Sequence, residues 1–155
     1  MKVKTLLALL AVAVAGTASA QLKPADAIKF RQSGYGFMAW NMAKLKGMLV
    51  DNPAAFNKDQ AVAAANAVQA VANSGMGALY VPGSDKGKGW AETRVKGELF
   101  TNKEGVGKVA MAFNKEANEL ARVAATGDAA ALKAQFGKVG ESCKACHDKF
   151  RTEDN

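Results

Sequence analysis

Cys143-Lys144-Ala145-Cys146-His147 is the one stretch of this chain whose residue types and spacing could do chemistry. C-x-x-C-H is the attachment signature for c-type haem. On a helix, positions i, i+3 and i+4 share a face. Both thiols can then form thioethers to haem vinyl groups, while His147 aims a ring nitrogen at the iron. The motif holds both cysteines and the single histidine of all 155 residues. Three other readings of a CxxC pair are weaker. A disulfide across so short a loop would stabilise little. A thioredoxin-like redox pair needs a βαβ context, and none is visible. A zinc site would have at most three ligands, crowded on one helix face. With His147 on one side of the iron no second histidine exists. The sixth position is then Met, another weak ligand, water or nothing. A five-ligand iron is open to a small gas, whereas His/Met ligation suits electron transfer.

The start of the chain agrees with an exported haem protein. Met1-Lys2-Val3-Lys4 is basic, TLLALLAVAVAG (residues 5–16) is apolar, and Ala18-x-Ala20 has small cleavage-site residues. This predicts a signal peptide over residues 1–20 and a mature domain over 21–155. The apolar run is short for a membrane span, which takes about 20 apolar residues. Losing Lys2 and Lys4 takes the formal charge from +7 to +5. Lysines are dispersed rather than gathered in a stripe with aromatics, which speaks against a nucleic-acid partner. The mature protein is expected in the periplasm, off the membrane.

Four helices must carry the motif. Alanine dominates the chain, and β-branched residues are thin outside a few valines. The first helix is expected from Pro24 to about Val50. Ala27, Ile28, Phe30, Arg31, Tyr35, Met38, Met42, Leu45 and Leu49 recur at helical steps. A second is expected over Asp59 to Ser74. A loop over Gly77 to Ala91 follows, then a third helix, strongest from Val106 to Ala125. Thr126-Gly127 stops it. Asp128 caps a fourth that ends near Arg151, with Leu132, Phe136, Val139, Cys143, Cys146, His147 and Phe150 on one side. Mostly short connections predict an all-α fold, an antiparallel up-down four-helix bundle with covalently bound haem. Phe37, Trp40 and Met48 extend the apolar surface of the first helix beyond one core stripe and suggest a homodimer contact.

CKACHDKFR (Cys143 to Arg151) and AIKFRQSGY (Ala27 to Tyr35) resemble the C-terminal haem-binding end and the first helix of cytochrome c′, the class II c-type cytochromes. The resemblance covers the chain from Gln21 to about Arg151. It implies a five-coordinate, high-spin haem c that binds nitric oxide and carbon monoxide, and a homodimer in many members. It makes Cys143 and Cys146 the thioether links and His147 the axial ligand. It places Arg151 near the proximal haem face, Arg31 with Gln32 near a haem propionate, and Tyr35 over the distal iron face. Phe100 stands where relatives often have Trp. The alternative is a low-spin His/Met electron-transfer cytochrome with Met38 or Met42 on iron. Low-spin relatives place that Met close to where Tyr35 sits, and Met38 lies nearly one turn further on. No distal histidine is available for acid/base chemistry at an O–O bond, so no enzymatic turnover is expected. The redox partner is not legible.

Overall fold

Small side chains let the helices close on one another. The computed structural model describes residues 22–153, so the signal-peptide assignment lies outside the described residues. Helix α1 spans Pro24–Lys46, with Pro24 in its first turn and Asp26 near its positive end. α2 spans Lys58–Ala72 and starts at Asn57, whose side chain accepts from the Gln60 amide. A short helix α3 (Glu98–Thr101) precedes α4, Lys103–Thr126. α5 spans Ala129–Phe150. α4 and α5 are joined through Gly127 and Asp128 alone. Gly127 sits at φ +80°, where a Cβ would also meet Lys58 Cδ at 2.8 Å. Asp128 Oδ1 then accepts from the amides of Ala130 and Ala131, both at 2.9 Å.

The four long helices form an antiparallel up-down bundle. α1 packs on α2, α2 on α4 and α4 on α5, while the closing seam between α1 and α5 is nearly open. Ala61, Ala64, Ala65 and Val68 of α2 lie fully buried against Leu120 and Ala117 of α4 and Leu132 and Val139 of α5 in one core. Each wholly buried leucine contributes about 2 kcal/mol through the apolar area it removes from water. No helix among the described residues is long and apolar enough to cross a membrane.

The first helix departs from its expected pattern in two places. The α-helix ends at Lys46 and widens into a π-helical turn over Gly47–Asp51. The wider turn alters the face presented by the residues in it. Met48, expected on the outer surface, is 7% exposed and belongs to the core. Phe30, one of the residues recurring at helical steps, is 57% exposed, and Phe37 and Trp40 are 51% and 57% exposed. Met38 lies in the core, and Met42 packs against it.

The long connection before α3 is tied to the end of α5. Lys96 N–H donates to Phe150 O and Thr152 N–H donates to Arg94 O, both at 2.9 Å. These bonds flank a bridge between Val95 and Arg151. The strap fixes the turn of α5 that carries the C-x-x-C-H motif.

Candidate functional site

Cys143 and Cys146 lie one turn apart on α5, both half-buried and unbridged. Burial pushes both thiols above their usual pKa, and for Cys143 the neighbouring Cys146 adds to the effect. They are therefore neutral thiols near pH 7, unlike the thiolates of redox pairs. His147 follows on the last turn of α5. Its ring reaches solvent but lies over enough protein for desolvation to lower its pKa, and the charge of Arg94 lowers it further against the opposing Asp148. A neutral imidazole is the form that ligates a metal.

Tyr35 of α1 is the aromatic side chain that both cysteines of α5 influence across the sparsely packed α1–α5 seam. The Tyr35 phenol has a raised pKa because of burial, and the two cysteines act on it electrostatically. Its hydroxyl lies 3.1 Å from that of Tyr80, in the loop after the 3-10 turn Met76–Leu79. Burial raises the Tyr80 pKa strongly, with Tyr35 as the next cause.

Arg31 is buried, and the groups around it are neutral oxygens. Nη1 donates to Leu79 O and Ser84 Oγ, both at 3.1 Å; Nη2 donates to Ser84 O at 2.8 Å and Thr93 Oγ1 at 2.9 Å. The guanidinium also lies over the Tyr80 ring, 4.6 Å from its centroid. Gln32 grips the same loop further on. Its Nε2 donates to Ala91 O at 2.8 Å, and its Oε1 accepts from the amides of Trp90 at 2.7 Å and Ala91 at 3.2 Å. The loop comes so close to α1 that a Cβ on Gly89 would stand 2.6 Å from Gln32 Oε1 and 2.8 Å from Lys29 N. Arg31 and Gln32 thus hold residues 79–93 onto α1, a role that local spacing did not suggest.

Arg151 and His147 line one cavity of about 270 Å³, together with Arg94, Lys96 and Asp148. The bundle brings Cys143, Cys146, His147 and Arg151 to one end of α5, with Tyr35 across the seam. Ser84, Thr93, Tyr80 and Arg94 join the site without any signal in their own stretch of sequence. Two reduced thiols and one imidazole at the i, i+3, i+4 positions, beside a seam the protein leaves nearly open, fit a covalently held haem. The buried Arg31 charge is surrounded by neutral oxygens, with its four Nη donations spent on Leu79, Ser84 and Thr93.

Fold and site together define a four-helix c-type haem protein. The family model described as cytochrome c′ matches residues 26–151, and the chain belongs to that family. Cytochrome c′ of Rhodocyclus tenuis is 60% identical over 132 residues, covering 85% of this chain and 98% of its own. A solved cytochrome c′ described as having an unusual ligand-controlled dimer dissociation is 54% identical, with a TM-score of 0.79 and coverage of 85% and 98%. Cytochrome c′ of Alcaligenes xylosoxidans is 29% identical at a TM-score of 0.74, over 84% of this chain and 98% of its own; variants of it have been solved with nitric oxide and with carbon monoxide bound. Haem c is the family's cofactor, and Cys143 and Cys146 fit its covalent attachment. Cytochrome c′ is itself a standard example of the up-down four-helix bundle.

Proposed function

We propose that this chain is a periplasmic haem protein with a five-coordinate, high-spin iron that binds nitric oxide and carbon monoxide and also passes electrons, without acting as an enzyme. The gas complexes of the Alcaligenes xylosoxidans relative support the ligand class. The composition of residues 1–20 supports export. The observation that carries the open iron position is the packing of α1. Met38 belongs to the bundle core, Met42 packs against it, and the cysteines act on Tyr35 across the seam. That favours this reading over His/Met ligation by Met38 or Met42.

When bound, haem would supply an iron able to take a diatomic gas and to change its oxidation state by one electron. Cys143 Sγ and Cys146 Sγ would hold it as thioethers, and a ring nitrogen of His147 would ligate the iron. Arg31, held against residues 79–93 by four hydrogen bonds, would lend its positive charge to a propionate, with Gln32 beside it. Arg151 adds positive charge at the His147 side. The Tyr35 ring would stand over the ligand side of the site. In this reading an incoming gas must move that ring. Tyr35→Ala is then expected to raise carbon monoxide affinity, read by titration of the reduced protein. Unchanged affinity would make Tyr35 ordinary packing.

Phe30, Phe37 and Trp40 give α1 a second, outward apolar face, with the Phe37 and Trp40 rings 5.8 Å apart. We assign this face to a homodimer contact, in keeping with the dimer of the 54% identical relative. A Trp40→Glu change is expected to give monomers in sedimentation; an unmutated protein that stays monomeric at high concentration contradicts the contact. Tyr35 and this face share one helix, so gas binding and dimerisation are linked reciprocally. Carbon monoxide is expected to bind more tightly as the protein is diluted, and Tyr35→Ala is expected to weaken that dependence.

A further inference from the structure

The chain has two tyrosines, 45 residues apart, and the fold brings them together hydroxyl to hydroxyl at 3.1 Å. One of them, Tyr35, rides on α1 between Gly34 and Gly36. The other, Tyr80, is fixed from three directions. Arg31 lies against its ring at 4.6 Å, and the Arg31 Nη1 donates to the carbonyl of the preceding Leu79. The Tyr80 amide donates to Gly77 O at 3.2 Å. Arg31 is itself anchored to Ser84 and Thr93. The hydroxyl of Tyr80 is therefore a fixed post, and the Tyr35 ring is held at its far end, where a hydrogen bond has most leverage on ring orientation.

We infer that Tyr80 is a positioning residue for gas binding, a latch that holds the Tyr35 ring closed across the seam until a ligand displaces it. The inference rests on the reading that Tyr35 covers the ligand position. Moving the ring then breaks one hydrogen bond at the solvent-exposed edge of the site, where Tyr35 is 39% exposed. Tyr80→Phe keeps the ring on Arg31 and removes only the hydroxyl. Loss of one such bond corresponds to about a two- to tenfold change in an equilibrium constant.

The test is a carbon monoxide titration of the reduced, haem-loaded protein in four forms: unmutated, Tyr80→Phe, Tyr35→Ala and the double variant. The expected result is about two- to tenfold tighter binding in Tyr80→Phe, and no effect of Tyr80→Phe once Tyr35 is alanine. A role of Tyr80 in packing alone would not vanish in that background. Unchanged affinity in Tyr80→Phe, with tighter binding in Tyr35→Ala, overturns the latch and leaves the cover intact. Unchanged affinity in Tyr35→Ala overturns the cover, and the latch on gas binding falls with it. Thermal unfolding of Tyr35→Phe, Tyr80→Phe and their combination tests the bond without any gas. Each single change is expected to lower the melting temperature by about 3–6 °C, and the pair by no more than one of them. Additive losses show two independent hydroxyls and overturn the latch.

Discussion

Replacing Cys143 and Cys146 together with serine leaves a protein from which acidified organic solvent extracts the haem, whereas the unmutated protein keeps it. The chain has no other cysteine, so the double change removes every sulfur able to form a thioether. The two thiols are half-buried, unbridged and one turn apart on α5, and both act on Tyr35 of α1. Either single variant retains one covalent link and should still resist extraction. The mature protein should have the mass of the chain from Gln21 plus one haem. Free extraction from the unmutated protein would falsify the thioether assignment. Retention of haem by the double variant under the same acid and solvent contradicts it equally.

The second large effect is expected at Arg31. Changing it to Met keeps the apolar stem but removes four hydrogen bonds from a buried cation. Ser84 is wholly buried, so its hydroxyl and carbonyl lose their donor with no water to replace it. Bonds to a charged donor are worth about 1.5–3 kcal/mol each, and leaving buried acceptors bare costs about 1–3 kcal/mol each; these contributions overlap. Removal of the buried charge offsets part of the loss. A net destabilisation of about 3 kcal/mol corresponds to a melting temperature lower by about 10 °C. Residues 79–93 keep the Gln32 contacts but lose the Arg31 ones, so the Thr93 amide, bonded to Gly87 O, should exchange its hydrogen faster. Lysine at this position keeps the charge but not the planar fork, and should rescue little. A melting temperature within about 2 °C of the unmutated value contradicts the clamp.

What the chain's order reveals and hides follows from the range of each interaction. The C-x-x-C-H motif is local, and so are the Asp128 cap, the Gly127 turn and the 3.6-residue periodicity of the helices, and all of them are readable in single stretches. The Arg31 partners lie 48 to 62 residues away. Ser84 and Thr93 are the kind of residues that any exposed loop contains. Their role appears only when the loop folds back on α1. Tyr80 is hidden for the same reason, since nothing in its neighbourhood of the sequence points to Tyr35. The misreading of Met48 has a different origin. An expected α-helix up to Val50 gives way to a π-helical turn, and the residue's direction changes with it. Phe30 fits the helical periodicity yet lies outside the core, because a helix with two apolar faces satisfies that periodicity on both.

An optical spectrum of the reduced protein, before and after carbon monoxide, tests the five-coordinate reading most directly. The account predicts a high-spin spectrum that changes to that of a low-spin complex when the gas is added. A reduced protein that is already low-spin, with the sharp bands of His/Met ligation and no response to carbon monoxide, contradicts it.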